Sequence, residues 1–246
     1  MFRQSMAAIG SATRLLFKDR RALALLLVAY FGLLASVYLL VSTREATIWQ
    51  VILTLVLVVV APALFFVLQA VSVGYANGLD VRRLVTKMPK DALKLIVVSL
   101  PVIAFTVIAL YGVNKLDQYP TAQTTLSYLL AGVFSPLLVI QLWVAVSMSR
   151  LRPLARSLHK VIAKALAPQS VFIYACGFLI FAVVPYFILV SIIPTERAWL
   201  EISLLVLRLA VSALLILLGW VTTVGAISIL NRRHDLPVNP ENPVIL

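Results

Sequence analysis

The chain is poor in the residues that most often carry chemistry. A single cysteine, Cys176, stands among 246 residues, so an intrachain disulfide and a multi-thiolate metal centre are both excluded. In its apolar surroundings that thiol acts as a small hydrophobic residue. His159 and His234, the two histidines, lie among arginines and lysines and read as interfacial charges rather than ligands or bases. Aspartate and glutamate total nine against 21 lysines and arginines, and none falls inside a long apolar run. The usual elements of a proton relay or an intramembrane cation site are therefore missing. "GYANGLD" (74–80) has neither P-loop nor dinucleotide spacing and reads as a helix ending in a turn. A non-enzymatic protein with no cofactor and no metal site is expected.

What the chain does have is apolar side chains. With 62% hydrophobic and 12% charged residues, and a mean hydropathy of +1.05, it has too few polar groups to cover a soluble surface. A helix crosses the hydrocarbon with roughly 20 predominantly apolar residues. Six stretches qualify, at about 22–41, 48–76, 92–112, 125–148, 172–193 and 202–230. The expected fold is all-α: one integral membrane domain over 1–246, with six transmembrane helices and a short tail at 234–246.

Charge sets the expected orientation, because lysine and arginine in short loops favour the cytoplasmic side. The N-terminus, the loops 77–94 and 149–170 and the C-terminal tail hold 17 of the 21 cations. The opposite loops hold only Arg44, Lys115 and Arg197. Both termini are expected in the cytoplasm.

The most basic run, "RLRPLARSLHKVIAKALAP" (150–168), is two-faced at 100° per residue. Leu151, Leu154, Leu158, Val161, Ile162, Ala165 and Leu166 share one arc; Arg152, Arg156, His159, Lys160 and Lys164 share the other. Such a helix, tied to spans at both ends, is expected in the headgroup layer with its cations toward anionic lipid. Arg152, Arg156, Lys160 and Lys164, with Arg82 and Arg83 of the loop 77–94, are the candidate contacts for lipid or a partner. Nucleic acid is not expected, since the run has no base-stacking aromatic.

Internal similarity suggests three hairpins, 1–78, 79–149 and 150–233, each led by a basic, partly amphipathic segment. Their second helices, "VLQAVSVGYAN" (67–77), "VIQLWVAVSMS" (139–149) and "VTTVGAISILN" (221–231), align without gaps. That alignment puts Gln69, Gln141 and Thr223 at equivalent positions. Gln69 and Gln141 are intramembrane polar groups suited to interhelical hydrogen bonds or, less readily, to substrate contact. Pro62, Pro101, Pro136 and Pro185 fall inside spans and should kink them. Gly32 with Ser36, and Gly74 with Gly78, have the spacing of close helix contacts.

Arg208 is the one formal charge within a run. The apolar stretch 202–230 is about 43 Å long as a helix, more than the roughly 30 Å hydrocarbon core. Arg208 can therefore snorkel to the interface, or hold a lipid phosphate or a partner's carboxylate. Glu196 and Glu201 lie nearby in sequence.

Three basic-led hairpins loosely resemble six-helix bacterial inner-membrane proteins, which implies that location. "VRRLVTKMPKDALKLIV" (81–97) resembles the cytoplasmic loop by which six-helix exporter permeases engage their ATPases, although no motif of theirs is matched. The expected role is an accessory or scaffold subunit of a membrane complex, or a lipid-organising protein. Its partners would be anionic lipids of the cytoplasmic face and other membrane subunits. The alternative is a permease domain energised by a separate ATPase.

Overall fold

The computed structural model describes residues 2–43, 47–115, 120–148, 158–191 and 197–235, and every regular element among them is helical. α1 (Phe2–Lys18) stops at Asp19, whose Oδ1 accepts the N–H groups of Arg21 (3.0 Å) and Ala22 (3.3 Å) and so caps α2 (Arg20–Ser42). α3 (Ile48–Ala76) opens on a reciprocal capping box between Thr47 and Gln50. It closes at Gly78, whose φ of 72° is the left-handed conformation that glycine adopts without a Cβ clash. The N–H of Gly78 reaches the Tyr75 carbonyl (2.8 Å) and that of Leu79 the Gly74 carbonyl (3.2 Å), a Schellman closure. "GYANGLD" is thus a helix end and turn, and α4 (Val81–Val113) starts directly after it.

Two later spans are interrupted. α5 (Pro120–Leu129) and α6 (Ser135–Met148) are joined by a π-helical turn at Leu130–Phe134. Beyond α7 (Leu158–Ala165), α8 (Pro168–Phe178) and α9 (Val184–Val190) are joined by another at Leu179–Val183. Each turn lies just before a proline, Pro136 or Pro185, whose ring and missing N–H disturb the α-helical ladder. The N–H of residue 136 would have served the Gly132 carbonyl; instead the Tyr174 hydroxyl of α8 donates to it at 2.8 Å. Pro62 and Pro101 sit within helices that remain continuous.

α10 (Ala198–Asp235) completes the set. Six helical segments are long and apolar enough to cross a membrane: Arg20–Ser42, Ile48–Ala76, Val81–Val113, Pro120–Ser147, Pro168–Val190 and Trp199–Arg232. The helices overrun the apolar stretches, so Asp91 and Glu201, which those stretches exclude, lie within α4 and the first turn of α10.

Packing is concentrated at one end, where α3, α6 and α10 finish and α4 and α8 begin. Lys87, Lys90, Lys94 and Arg232 gather there, and it is hereafter the basic end. The three stretches that resemble one another supply much of the core through Val73 of α3, Ile140 and Val144 of α6, and Val224 and Ile227 of α10. Toward the other end, residues 103–113, 120–134 and 199–211 bury no side chain fully. Exposed Val28, Tyr38, Val41, Ile108 and Val206 belong to an apolar exterior suited to lipid.

Close contact is found at one of the expected small residues and at another glycine besides: a Cβ at Gly74 would lie 2.6 Å from Leu84 Cδ2 of α4. A Cβ at Gly32 would meet nothing within 4 Å, and Gly78 lies in the turn. Gly177 of α8 faces Thr223 of α10 so closely that a Cβ there would overlap Thr223 Oγ1.

Two amphipathic helices use part of their apolar faces on protein. α1 buries Ser5, Ala8, Ala12 and Leu16, and it packs on α10 and α8. α7 buries Val161 and Ala165 in a cluster with Leu138, Leu142 and Val146 of α6, while Leu158 and Leu166 stay exposed. The described part of the arc expected to meet lipid is therefore divided between the bundle and the exterior, and Leu151 and Leu154 lie outside the described residues.

Candidate functional site

Buried polar groups cost free energy unless hydrogen-bonded, and inside this bundle they pair mainly across helices. Gln69 Oε1 accepts the indole N–H of Trp220 at 2.6 Å. Trp143 donates its indole N–H to Ser99 Oγ at 2.8 Å. Gln141 is fully enclosed: its Oε1 accepts from Asn231 Nδ2 (2.7 Å), and its Nε2 donates to Ser170 Oγ (3.0 Å) and, at the 3.5 Å limit, to the Lys164 carbonyl. Gln69 and Gln141 thus link helices, the structural use open to them. Thr223, at the aligned position, bonds to the Gly219 carbonyl within its own helix (2.7 Å).

A second hub forms where α3 ends. Asn77 Nδ2 donates to Ser147 Oγ of α6 at 2.6 Å, and Asn77 Oδ1 accepts from Ser228 Oγ (2.8 Å) and Arg232 Nη2 (2.8 Å) of α10. The same Arg232 nitrogen lies 3.3 Å from the Ala76 carbonyl. A guanidinium beside the last carbonyls of α3 complements the negative end of that helix.

Against this hub opens a cavity of about 590 Å³. Its apolar wall includes Ala70 and Val73 of α3, Leu95 of α4 and Val146 of α6; its cations are Lys87, Lys90 and Lys94 of α4 and Arg232 of α10. Among the described residues Asp91 is the one acid lining it, and Lys94 Nζ lies 3.0 Å from Asp91 Oδ1. Such a basic, part-apolar concavity has the size range of small-molecule sites and suits an anion with an apolar portion.

Of the residues singled out by sequence, few meet here. Arg82 and Arg83 are exposed on the first turn of α4 and do not line the cavity. Lys160 is exposed on α7, Lys164 is half-buried there, and Arg152 and Arg156 lie outside the described residues. Arg208 is half-buried, 24 residues before Arg232 in the same helix, or about 36 Å away by helical rise.

Sequence reasoning passed over Asn77, Arg232, Lys87, Lys90 and Lys94. A usable signal existed for the lysines, whose i, i+3, i+7 spacing places them on one helical stripe. Asn77 and Arg232 carry no comparable pattern. No three His, Cys, Asp or Glu side chains among the described residues are grouped to hold a metal ion. No family model, curated protein or solved structure matches the chain.

Proposed function

We propose that the protein is a non-enzymatic multi-pass membrane protein that organises anionic lipid at its basic end, as a lipid-organising protein or as an accessory or scaffold subunit of a membrane complex. In this reading it resides in a bacterial inner membrane with both termini cytoplasmic. Its spans form three helical hairpins, α2 with α3, α4 with α5 and α6, and α8 and α9 with α10. The observation that carries the reading is the division of polar groups. The interior amides and indoles are engaged with one another, as in Gln69 with Trp220 and Gln141 with Asn231, whereas the exposed cations Arg82, Arg83, Lys87, Lys90 and Lys160 surround the basic end. Side chains committed to holding helices are poor candidates for a substrate path, while interfacial cations suit anionic headgroups.

Purification of the full chain in mild detergent, followed by mass spectrometry of retained lipid and protein, tests the proposal. Enrichment of anionic over zwitterionic lipid, with other membrane subunits or none, is expected. Stoichiometric recovery of an ATPase would replace this reading with the permease alternative.

A further inference from the structure

The cavity at the basic end has a charge arrangement that a solvated face does not require. Lys87, Lys90 and Lys94 follow one stripe of α4 over about 10 Å of helical rise, and Arg232 meets them from α10. Asp91 answers one of these four cations through its 3.0 Å contact with Lys94. Neither Lys87 nor Lys90 has a hydrogen-bonding or ionic partner among the described residues. Like charges brought to one concavity repel, and a cleft with low-dielectric walls strengthens their common field. An anion in the cavity relieves both effects.

Arg232 adds geometry to charge. Its Nη2 is anchored to Asn77 Oδ1 at 2.8 Å and lies 3.3 Å from the Ala76 carbonyl. Its Nε and Nη1 donors make no hydrogen bond with described residues. The fork is therefore held in place with donors to spare, the arrangement that suits planar two-point recognition of phosphate oxygens. The apolar wall formed by Val73, Leu95 and Val146 could not solvate a bare ion, but it fits hydrocarbon attached to one.

We infer that this cavity binds one phosphate group carried on a molecule with an apolar portion, with Lys87, Lys90 and Arg232 as its ligands. The phosphate comes from a lipid headgroup or from a soluble phosphate compound. The inference rests on the anionic-lipid reading of the basic end and narrows it to one site.

The test uses the delipidated full-length protein in non-ionic detergent, titrated with phosphatidate, phosphatidylcholine or phenyl phosphate and read by native mass spectrometry. Wild type is expected to take up one phosphatidate per chain in preference to phosphatidylcholine. Each cation removed near the phosphate should weaken binding about fivefold, so Lys87→Gln combined with Lys90→Gln should lose about 25-fold. Both lysines are exposed, so this variant leaves the core intact. Lys115→Gln, an exposed cation beyond the far end of α4, should bind as wild type. Arg232→Lys keeps the charge and removes the fork, and it too should bind more weakly at normal yield.

Displacement of phosphatidate by phenyl phosphate, with one phenyl phosphate retained per chain, assigns the soluble source. One bound phosphatidate that phenyl phosphate does not displace assigns the lipid source. Unchanged one-to-one binding in the double lysine variant overturns the cavity site and leaves the wider lipid reading standing. Absence of any preference of the wild type for phosphatidate overturns both.

Discussion

Arg208 and Gly177 show how differently single residues depend on their surroundings. Arg208 is half-buried and has no hydrogen bond or ion pair with the described residues, which fits a side chain that carries its charge along the helix to the interface. We expect Arg208→Lys to keep normal folded yield in detergent, because a lysine can snorkel equally well, and Arg208→Gln to lose little. Loss of a bound lipid or subunit in the lysine variant alone would show instead that the guanidinium fork matters. Gly177 has no such freedom. With Thr223 Oγ1 where a Cβ would need to be, Gly177→Ala must push α8 from α10 or twist the threonine. Overpacking of this kind costs about 1–3 kcal/mol, measurable as a lower thermal midpoint in detergent. Gly32→Ala, at an open position, is the control and should leave the midpoint unchanged.

Among the elements, the interrupted spans stand out. Pro62, Pro89 and Pro101 lie within continuous α-helices, whereas Pro136 and Pro185 follow π-helical turns. The link between Tyr174 and the Gly132 carbonyl fastens one of those turns to α8. Removing the hydroxyl by Tyr174→Phe should cost about 1 kcal/mol while leaving the ring in its contacts with Phe178 and Phe181. Urea unfolding in mixed micelles can measure this; an unchanged midpoint would mean that the turn needs no outside donor. α7 teaches a related lesson. Its two-faced pattern is plain in the sequence, but Val161 and Ala165 face α6 while Leu158 and Leu166 stay exposed. Periodicity separates an apolar face from a polar one, and it is silent on whether lipid or protein covers that face.

At the scale of the whole molecule, the expected orientation is open to a direct check. Cysteines placed at Thr47 and Thr121, in a variant lacking Cys176, should react with an impermeant maleimide added outside intact cells. One placed at Asn239 should not. Labelling of Asn239 from outside would reverse the proposed topology and place the cavity's cations on the far face. The bundle itself is tight at the basic end and open at the other, where residues 103–113 and 199–211 bury no side chain fully. That asymmetry explains why the six spans were legible while their arrangement was not. Span length and hydrophobicity are local properties imposed by the thickness of the hydrocarbon, so the apolar runs alone determined six helices long enough to cross it. The pairing of Gln69 with Trp220 and the meeting of Asn77 with Ser228 and Arg232 join residues about 150 positions apart. Two apolar helices can face one another in many rotations of similar hydrophobic gain, and tertiary packing alone chose the rotation that aims Arg232 and three lysines into one cavity.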